Sequence, residues 1–587
     1  MKHSSIPLAQ TVVQLCKLHQ ITQIVISPGS RNAPLTISFT NDPFFTCYSI
    51  VDERCAGFFA LGIAQRLKQP AIVVCTSGSA VVNYFPAVTE AYYSDIPLVV
   101  LSADRPKYLL EIGDGQTIQQ DKVFDKHVVY STNLKLDLND EHKVPDQEQL
   151  PIFKSFENRL ERFLGLQQGI QEFNEEEINS ALYLAKFKKG PVHINVPFDE
   201  PLYNMLDEPS IKAEKTKFTL KHEKIDEVEI DDCVSEWNDA KRKMILVGSL
   251  PPNTIEQNLL EELADDDSVI VLTETTSNLY HPNFFPSIDK LIAPLDEDGK
   301  KRLQPDILLT FGGMVISKKI KALLRTYRPK QHWHVSRKKA YDTYFSLDKH
   351  LEVTPNEFLT NFLPKLTYKV KSTYFDHWMD VRNQRSKKHL NYVKEIPFCD
   401  FLVYFRILKR IPTNTNVHLG NSSTVRYAQL FNLDSSLNIY CNRGTSGIDG
   451  STSTAVGSSA ASEGRTLLIT GDLSFFYDSN GLWNNYIPKN FRIILINNGG
   501  GGIFRILPGH EETETFDRFF ETVHDLSAKQ LCDMFKFDYA TARNDEELQS
   551  KLSKFYLNSS RPKLLEIFTP REINNKVLLN YFDYLKA

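Results

Sequence analysis

The sequence predicts an α/β protein made of three doubly wound domains, each with a parallel sheet covered by helices on both faces. At 587 residues the chain is too long for one ordinary hydrophobic core. Short β-branched runs alternate with longer amphipathic stretches, which is the rhythm of a parallel sheet. Because this rhythm stops and restarts twice, we expect domains at residues 1–200, 201–365 and 366–587.

The first domain contains five predicted strands. They cover residues 23–27, 48–51, 71–76, 97–104 and 191–197. Amphipathic stretches at 54–68 and 80–94 predict helices between them, and the polar segment from about 132 to 185 is predicted to be mostly helical.

The second and third domains repeat the same alternation after a charged stretch at 212–232, which we interpret as a linker. Strands are predicted at 243–249, 268–274, 306–313 and 331–336 in the second domain, and at 416–421, 437–443, 466–472, 491–498 and 563–568 in the third. A polar, helical passage at 366–396 separates the two sets.

Composition narrows the class of protein. The formal charge of −5 is small for this length, so no basic field favours nucleic acid or an anionic membrane. The eight cysteines form no CxxC pair, which argues against a zinc site and a disulfide framework. No run of 18 apolar residues occurs and the N-terminus lacks a secretory apolar core. We therefore expect a cytoplasmic protein without nucleic-acid or membrane partners.

The stretch 471–504, GDLSFFYDSNGLWNNYIPKNFRIILINNGGGGIF, ends two predicted strands in polar residues and glycines. Ligands of open parallel sheets bind at the carboxyl ends of strands. Asp472 and Asn498 offer side-chain oxygens there, and Gly500 offers a main-chain carbonyl. Hard oxygens suit Mg²⁺, which often keeps phosphate oxygens among its ligands. The stretch predicts a metal-diphosphate clamp, although Gly-Asp, Asn-Asn and a glycine run also occur in ordinary turns and loops.

This spacing resembles the thiamin diphosphate motif, in which GDG is followed at a distance by NN. Leu473 replaces the third residue of GDG, which spares both metal ligands. A second candidate, Gly113-Asp114-Gly115, follows no long apolar strand and has no Asn-Asn downstream, so we reject it as the metal site.

Thiamin diphosphate chemistry also needs a carboxyl group against the aminopyrimidine ring. Glu53 ends the predicted strand YSIVD and precedes an apolar helix, where burial would raise the pKa of its carboxyl group. The alternative is a solvated glutamate in the first turn of a helix, favoured by the helix dipole.

Nine blocks together resemble one family, the 2-succinyl-5-enolpyruvyl-6-hydroxy-3-cyclohexene-1-carboxylate synthases of menaquinone biosynthesis. The blocks are ISPGSRNAPLT (26–36), DERCAGFFALGIA (52–64), TSGSAVVNYFPAVTEA (76–91), LSADRP (101–106), HINVPFDEPLY (193–203), GNSSTVR (420–426), NRGTSGIDG (442–450), GDLSFFYD (471–478) and NNGGGGIF (497–504). The resemblance covers nearly the whole chain and is weakest in the middle domain. It implies the thiamin diphosphate-binding fold.

The resemblance also implies a reaction. The family decarboxylates 2-oxoglutarate on thiamin diphosphate, with Mg²⁺ or Mn²⁺, and adds the succinyl carbanion to isochorismate in a 1,4-addition. Both substrates are dicarboxylates, and arginine binds carboxylates bidentately. Four arginines lie just after predicted strands or in glycine- and serine-rich loops of matching blocks: Arg31, Arg105, Arg426 and Arg443.

Residue roles follow from the resemblance, position by position. The 2-oxoglutarate contacts are Ser422, Arg426, Arg443 and Gln116, and the isochorismate contacts are Ser30, Arg31 and Arg105, with Lys318 or its neighbour Lys319. The pocket walls are Phe504 and Leu507. The cofactor contacts are Glu53, Asp472, Leu473, Ser474, Asn498, Gly500, Ile503 and Phe504, with Ile503 supporting the bent cofactor. The expected catalytic residues are Glu53, Gln116, Arg31, Arg426 and Arg443.

Superfamily resemblance further implies that the two ends of the cofactor are held by different domains from different subunits. We therefore expect a homodimer or a dimer of dimers with active sites at the subunit interface. Two other readings stay open. One is a thiamin diphosphate enzyme with a monocarboxylate donor, and the other is a non-catalytic nucleotide-binding module, although no GxGxxG follows a predicted strand with an acidic residue at the right distance.

Overall fold

A computed structural model describes residues 2–138, 155–218, 227–366, 370–506 and 513–586. The chain forms two compact units. The first comprises residues 1–220, 452–463 and 478–487, and the second comprises 221–451, 464–477 and 488–587. Among the described residues, no helix combines the length and the hydropathy that crossing a bilayer requires.

The first unit contains a six-stranded parallel sheet with the strand order β3-β2-β4-β5-β7-β6, and a separate antiparallel pair, β1 and β8. The strands are β1 His3–Ser4, β2 Gln23–Ile26, β3 Thr46–Ser49, β4 Ala71–Cys75, β5 Leu98–Asp104, β6 Tyr130–Asn133, β7 Val192–Pro197 and β8 Met205–Leu206. The helices are α1 Pro7–Leu18, α2 Ala33–Thr40, α3 Glu53–Leu67, α4 Ser79–Asn83, α5 Phe85–Tyr93 and α6 Ser155–Lys188.

The second unit begins with a five-stranded parallel sheet of order β10-β9-β11-β12-β13. Its strands are β9 Lys243–Val247, β10 Val269–Leu272, β11 Ile307–Phe311, β12 Gln331–Val335 and β13 Lys349–Leu351. Its helices are α7 Glu227–Asp239, α8 Gln257–Leu263, α9 Ile288–Ile292, α10 Glu297–Leu303, α11 Lys318–Thr326 and α12 Pro355–Phe362.

A third, six-stranded parallel sheet follows in the same unit, with the order β15-β14-β16-β17-β19-β18. Its strands are β14 Asn416–Leu419, β15 Asn438–Tyr440, β16 Thr466–Gly471, β17 Arg492–Asn497, β18 Asp538–Ala542 and β19 Lys563–Phe568. The remaining helices of the chain are α13 Tyr374–Glu395, α14 Asp400–Leu408, α15 Ser423–Ala428, α16 Ser451–Ala460, α17 Asp472–Tyr477, α18 Glu514–Phe516, α19 Lys529–Met534, α20 Asp545–Phe555 and α21 Asn574–Lys586.

The predicted fold class is confirmed: three parallel sheets are flanked by helices. Numbered within each sheet, the first and third sheets share one order, 2-1-3-4-6-5, and the central sheet has 2-1-3-4-5. In each sheet the direction of winding reverses between the first and third strands, which opens a crevice at their carboxyl ends. The domain boundaries after residues 200 and 365 stay predictions.

Several details of the predicted elements were wrong. The helix predicted at 80–94 is broken into α4 and α5, because Pro86 cannot continue the hydrogen-bonding of the preceding turn. Within the predicted linker, residues 227–232 open α7, whereas 219–226 lie outside the described residues. Five of the described strands were not predicted: β6, β13 and β18, each at one edge of its parallel sheet, and β1 and β8, which form the separate antiparallel pair.

Two glycines bring α3 and α16 into close contact within the first unit. A Cβ atom on Gly62 would lie 2.0 Å from the main-chain oxygen of Thr454, and one on Gly457 would lie 2.0 Å from that of Phe59. Real side chains do not tolerate such distances, so each helix fits against the other only where the side chain is a hydrogen atom.

Replacing Gly62 by alanine should therefore lower the melting temperature, because the two helices must separate to admit the methyl group. Overpacking of this kind costs about 1–3 kcal/mol. The matched control is Gly169→Ala in α6, where an added Cβ meets nothing within 4 Å and helix propensity favours alanine. Thermal unfolding of both variants checks the expectation. An equal melting temperature for Gly62→Ala and the wild type would contradict it.

Candidate functional site

The ends of β14, β16 and β17 lie side by side in the third sheet, at its switch point. The register pairs Gly471 with Ile496, so the residues that follow β16 and β17 leave the sheet at the same edge. Asp472 comes directly after β16 and Asn498 directly after β17. The residues 420–422 follow β14 at the same edge.

The carboxylate of Asp472 joins these segments. Its Oδ2 accepts hydrogen bonds from the main-chain N–H groups of Gly499, at 2.9 Å, and Gly500, at 3.0 Å. Its Oδ1 accepts one bond from the N–H of Leu473 at 2.7 Å, which leaves that oxygen a further lone pair. The side chain is buried. The structure thus brings together the Gly-Asp and glycine-run segments that the sequence predicted to meet.

Asn498 is oriented by a buried aspartate. Its Nδ2 donates to Oδ2 of Asp400 at 3.0 Å, so its amide oxygen is free to accept or to bind a cation. Oδ1 of Asp400 accepts a bond from the hydroxyl of Thr569 at 2.6 Å. Burial raises the pKa of Asp400 to about 6, and these two hydrogen bonds oppose the rise. Asp400 was not predicted as part of the site.

The glycine run adopts a conformation that side chains rarely reach. Gly499 has a φ of 76° and Gly500 a φ of 150°, and a Cβ on Gly500 would lie 2.7 Å from the main-chain oxygen of Glu521. The N–H of Gly501 donates to that same oxygen at 2.6 Å. Glu521 is fully buried and accepts two hydrogen bonds of 2.7 Å from Arg505. This ion pair fixes the loop after the run.

His524 is a further neighbour of Asp472 that the sequence did not indicate. Its Nε2 lies 3.4 Å from Oδ2 of Asp472, an ion-pair distance without hydrogen-bond alignment, and its main-chain N–H donates to the carbonyl of Gly499. The carboxylate of Asp472 raises the pKa of His524.

These donors fit a hard divalent cation. The structure offers one carboxylate oxygen from Asp472, the amide oxygen of Asn498 and the carbonyl of Gly500, all at one strand edge. The carbonyl of Gly500 accepts one bond, from the N–H of Gly502, and keeps a second lone pair. Three oxygen donors with one formal charge leave positions for phosphate oxygens and water, as Mg²⁺ prefers. Among the described residues no cluster of three His, Cys, Asp or Glu side chains offers a competing metal site.

Three other predicted cofactor or wall residues, Ser474, Ile503 and Phe504, lie in the segments that follow β16 and β17. The hydroxyl of Ser474 donates to the carbonyl of Ile448 at 2.6 Å. Ile503 and Phe504 lie in the 3₁₀ turn at Gly502–Ile506, and both are half-buried. Leu507 lies outside the described residues. Whether these residues contact a cofactor stays a prediction.

Arg443 is buried and Arg426 is half-buried, and neither forms an ion pair in the described part of the second unit. The carboxylates of Asp289 and Glu274 are close enough to interact electrostatically with Arg426 and Arg443, respectively. Arg426 lies inside α15, not in a loop, and donates to the carbonyl of Ser422 at 2.6 Å. Arg443 donates to Oδ1 of Asn421 at 2.7 Å, and its buried Nε has no hydrogen-bond partner there. Burial and then the charge of Arg443 lower the pKa of Arg426, so the two guanidinium groups are close. Such a pair is suited to a bound anion.

Ser422 has a φ of 66° and a ψ of −124°, a conformation that non-glycine residues avoid. A strained backbone conformation of this kind persists only where the surrounding contacts hold it in place, and it occurs often at binding sites. The strain lies at the start of α15, and it directs the Ser422 carbonyl toward Arg426.

Two buried acids fix the start of α11, which carries Lys318 as its first residue. Glu274 accepts hydrogen bonds from the N–H groups of Ile316 and Ser317, both at 2.7 Å. The hydroxyl of Ser317 donates to Asp289. Lys318 is exposed.

Two other lysines of α11 bear on the assignment of Lys318. Lys319 lies over the ring of Phe582, at 4.9 Å. Lys321, which the sequence reasoning missed, is close enough to Glu274 and Arg443 for their charges to shift its pKa, which burial lowers overall.

In the first unit, Glu53 is the first residue of α3, not the last of a strand. Asp52 caps this helix by accepting a bond from the N–H of Cys55 at 3.1 Å. Oε2 of Glu53 accepts a bond from Nδ2 of Asn83 at 3.3 Å, and the residue is half-buried. Burial raises the pKa of Tyr84, and the charge of Glu53 contributes to this rise, so the carboxylate lies close to that buried ring.

Arg31 and Arg105 lie together after β2 and β5. Arg31 is 6% exposed and donates to the carbonyl of Phe198 at 3.1 Å. Burial and then the charge of Arg105 lower the pKa of Arg31. Both have acidic partners: Nη2 of Arg31 lies 3.5 Å from Glu200, and Nε of Arg105 lies 2.8 Å from Asp114. Asp114, rejected above as a metal ligand, therefore holds an arginine.

Gln116 lies beside Arg105, whose Nη1 donates to the main-chain oxygen of Gln116 at 2.9 Å and to the hydroxyl of Ser77 at 2.6 Å. The side chain of Gln116 is exposed, as is Ser30. The Gln116 backbone has a φ of 56° and packs closely against Gly78. The structure thus groups Gln116 with the predicted isochorismate contacts of the first unit, and its expected role toward 2-oxoglutarate stays a prediction.

Comparisons with known proteins agree with this geometry. A family model described as the N-terminal TPP-binding domain of thiamine pyrophosphate enzymes matches residues 6–127, and one described as the middle domain of thiamine pyrophosphate matches 210–417. The chain is 54% identical over 594 residues to the 2-succinyl-5-enolpyruvyl-6-hydroxy-3-cyclohexene-1-carboxylate synthase of Christiangramia forsetii, with all of both chains covered. It is 50% identical to the enzyme of that name from Flavobacterium psychrophilum and 49% to that from Flavobacterium johnsoniae, again over all of both chains.

The buried Glu274 should make stability depend on pH. Burial raises its pKa from 4.5 to about 7, so the folded protein keeps a proton there that the unfolded chain releases. Stability from this group is therefore present at acidic pH and declines as pH rises from about 5 to 7, by about 3 kcal/mol in total. Because the glutamine of Glu274→Gln cannot titrate, the melting temperature of this variant minus that of the wild type should increase as pH rises through this range.

Melting curves at several pH values check this, with Glu262→Gln on the exposed face of α8 as the control. Buried carboxylates that do not interact with Glu274, such as Asp400, titrate equally in all three proteins and cancel in the difference. A constant offset between Glu274→Gln and wild type from pH 5 to pH 7.5 would contradict the expectation.

Proposed function

The chain belongs to the 2-succinyl-5-enolpyruvyl-6-hydroxy-3-cyclohexene-1-carboxylate synthase family, and we propose that it performs the reaction implied by that membership. In this reaction 2-oxoglutarate loses one carboxyl group as CO₂, and the remaining succinyl unit adds to isochorismate in menaquinone biosynthesis. The enzyme is a thiamin diphosphate-dependent transferase. Thiamin diphosphate supplies, when bound, the electron sink that decarboxylation of a 2-oxo acid needs.

One observation carries the choice of substrate: the half-buried Arg426 and the buried Arg443 are neighbouring guanidinium groups whose hydrogen-bond partners are neutral. A buried cation without a counter-ion is costly, and a bound carboxylate removes that cost. Two guanidinium groups suit the two carboxylates of 2-oxoglutarate. A monocarboxylate such as pyruvate would leave one of them unpaired.

We assign the cation to Asp472, Asn498 and Gly500, which together present oxygen donors only. Mg²⁺ or Mn²⁺ would satisfy this set. The anchoring of Asn498 by Asp400 would keep its amide oxygen turned toward the metal, and the anchoring of the glycine loop by Glu521 would hold the carbonyl of Gly500 in place.

Glu53 is assigned to hold a proton against the aminopyrimidine ring of the cofactor. Asn83 engages one of its oxygens, Oε2, which leaves Oε1 for that contact. A donor bonded to one carboxylate oxygen fixes the plane of the group, so the other oxygen has a defined direction. Asn83 would therefore act as a positioning residue.

Isochorismate is assigned to Ser30, Arg31 and Arg105, with Lys318 as a further contact. Because Lys319 lies over an aromatic ring, Lys318 is the better candidate of the two. The substrate would replace the ion pairs that Glu200 and Asp114 make with the two arginines.

The assembly we propose is a homodimer or a dimer of dimers, with the active sites at the subunit interface. Val51, two residues before Glu53, is 46% exposed, and Trp483 is 53% exposed in the same unit. Large exposed apolar side chains near a functional residue favour an interface. We also propose the cytoplasm as its compartment, because all eight cysteines are free thiols, as expected under reducing conditions.

The proposed donor substrate, 2-oxoglutarate, is tested by replacing Arg443 with methionine, which keeps an apolar side chain but removes the guanidinium group. Losing a hydrogen bond to a charged group costs about 1.5–3 kcal/mol, so kcat/KM for 2-oxoglutarate should fall roughly 10- to 100-fold. Stability should fall by about 1–3 kcal/mol, because the hydrogen bond to Oδ1 of Asn421 is lost as well, so activity is compared at a temperature at which both proteins are folded. CO₂ release from 2-oxoglutarate and from pyruvate, with and without isochorismate, measures the activity toward each donor, and thermal unfolding measures stability.

Arg561→Met, at an exposed position, is the matched control and should behave as the wild type. A wild-type enzyme that turns over pyruvate as well as 2-oxoglutarate would contradict the proposal, and so would an Arg443→Met variant with full activity toward 2-oxoglutarate.

A further inference from the structure

A cavity of about 350 Å³ in the second unit is lined by three basic side chains and by no aspartate or glutamate of the described chain. The basic residues are Lys290 on α9 and Arg382 and Arg385 on α13. None of the residues that line the cavity belongs to the metal, cofactor or substrate sites assigned above. This concentration of like charge has no function in the proposed reaction.

Both arginines of the cavity are held by neutral main-chain oxygens. Nη1 of Arg382 donates to the carbonyls of Pro282 and Phe284, at 2.7 and 2.6 Å. Nη1 of Arg385 donates to the carbonyl of Lys290 at 3.0 Å. Within the described ranges neither guanidinium forms an ion pair, so the positive charges are fixed in position without being neutralised.

Lys290 is the most unusual of the three. It is 8% exposed, and its ammonium group has no hydrogen bond or ion pair with any residue in the described part of the chain. Burial, together with the charge of Arg382, lowers its pKa to about 8. An unpaired ammonium group in this position costs stability, and natural proteins keep such groups where a ligand or partner compensates the charge.

A buried hydroxyl adds a fourth donor. The Oγ of Ser287, which also lines the cavity, is buried and has no hydrogen-bond partner among the described residues. Ser287 directly precedes α9 and has a φ of 63°, a strained conformation for a residue other than glycine. Three cations and a hydroxyl that has no partner among the described residues therefore line one cavity.

We propose that this cavity binds an oxyanion, the phosphate or carboxylate group of a small molecule. Oxyanions present several acceptor oxygens with negative charge, which matches donors of this number and sign. The volume lies at the lower end of the range for small-molecule sites, so the ligand is small. The inference does not depend on the proposed reaction.

Isothermal titration of the holoenzyme, saturated with thiamin diphosphate and Mg²⁺ so that the cofactor site is filled, tests the site. Inorganic phosphate and succinate are the two probes, and they separate a phosphate ligand from a carboxylate ligand. Lys290→Met should weaken the binding of the preferred anion at least tenfold. Lys387→Met, at an exposed position of α13, is the matched control and should bind as the wild type.

Melting temperatures give a second readout. Without added anion, Lys290→Met should be at least as stable as the wild type, because it removes an unpaired buried charge. With the anion, the wild type and Lys387→Met should gain more stability than Lys290→Met, because any binding of succinate at Arg426 and Arg443 is common to all three proteins.

Two results would overturn the proposal. One is the absence of any binding of phosphate or succinate that depends on Lys290. The other is a Lys290→Met variant that is strongly destabilised or changes its oligomeric state without anion, which would mean that a carboxylate of another subunit already pairs with the lysine.

Discussion

The catalytic edge of the third sheet depends on one carboxylate that accepts three main-chain hydrogen bonds. Asp472 directly follows β16, and its bonds to Gly499 and Gly500 hold the loop that follows β17 against it. Because the glycine run adopts dihedral angles that side chains disfavour, it keeps this shape only while those bonds and the contact with Glu521 persist. The oxygen donors proposed for the metal are therefore set by the same contacts that fold the loop.

The charges of the protein are arranged in two different ways. Arg31 and Arg105 in the first unit lie against acidic side chains, so a substrate there must exchange one ion pair for another. Arg426 and Arg443 in the second unit have neutral hydrogen-bond partners and interact with Asp289 and Glu274 without an ion pair, so an anion bound there adds a direct partner for their charges. On this basis we expect electrostatics to contribute more to the affinity for 2-oxoglutarate than to that for isochorismate.

Sequence patterns predicted the strands that are buried on both faces and the edge strands β3, β10 and β15, and they missed the strand at the opposite edge of each parallel sheet. Interior strands such as β16 and β17 read as continuous apolar runs, whereas the edge strands β6, β13 and β18 are short, polar and partly exposed. The positions of Asp472 and Asn498 at one edge of the sheet could be predicted because each residue directly follows one of two adjacent strands.

Other parts of the site left no signal of that kind in the sequence. Asp400, His524 and Lys321 reach the site through contacts between segments far apart in the chain, and no local pattern marks them. The affinity of Asp472→Ala for thiamin diphosphate in the presence of Mg²⁺ tests the central claim most directly, with Asp533→Ala on the exposed side of α19 as control. Our account predicts a loss beyond the roughly 10- to 100-fold typical of outer-sphere partners, and an unchanged affinity would contradict it.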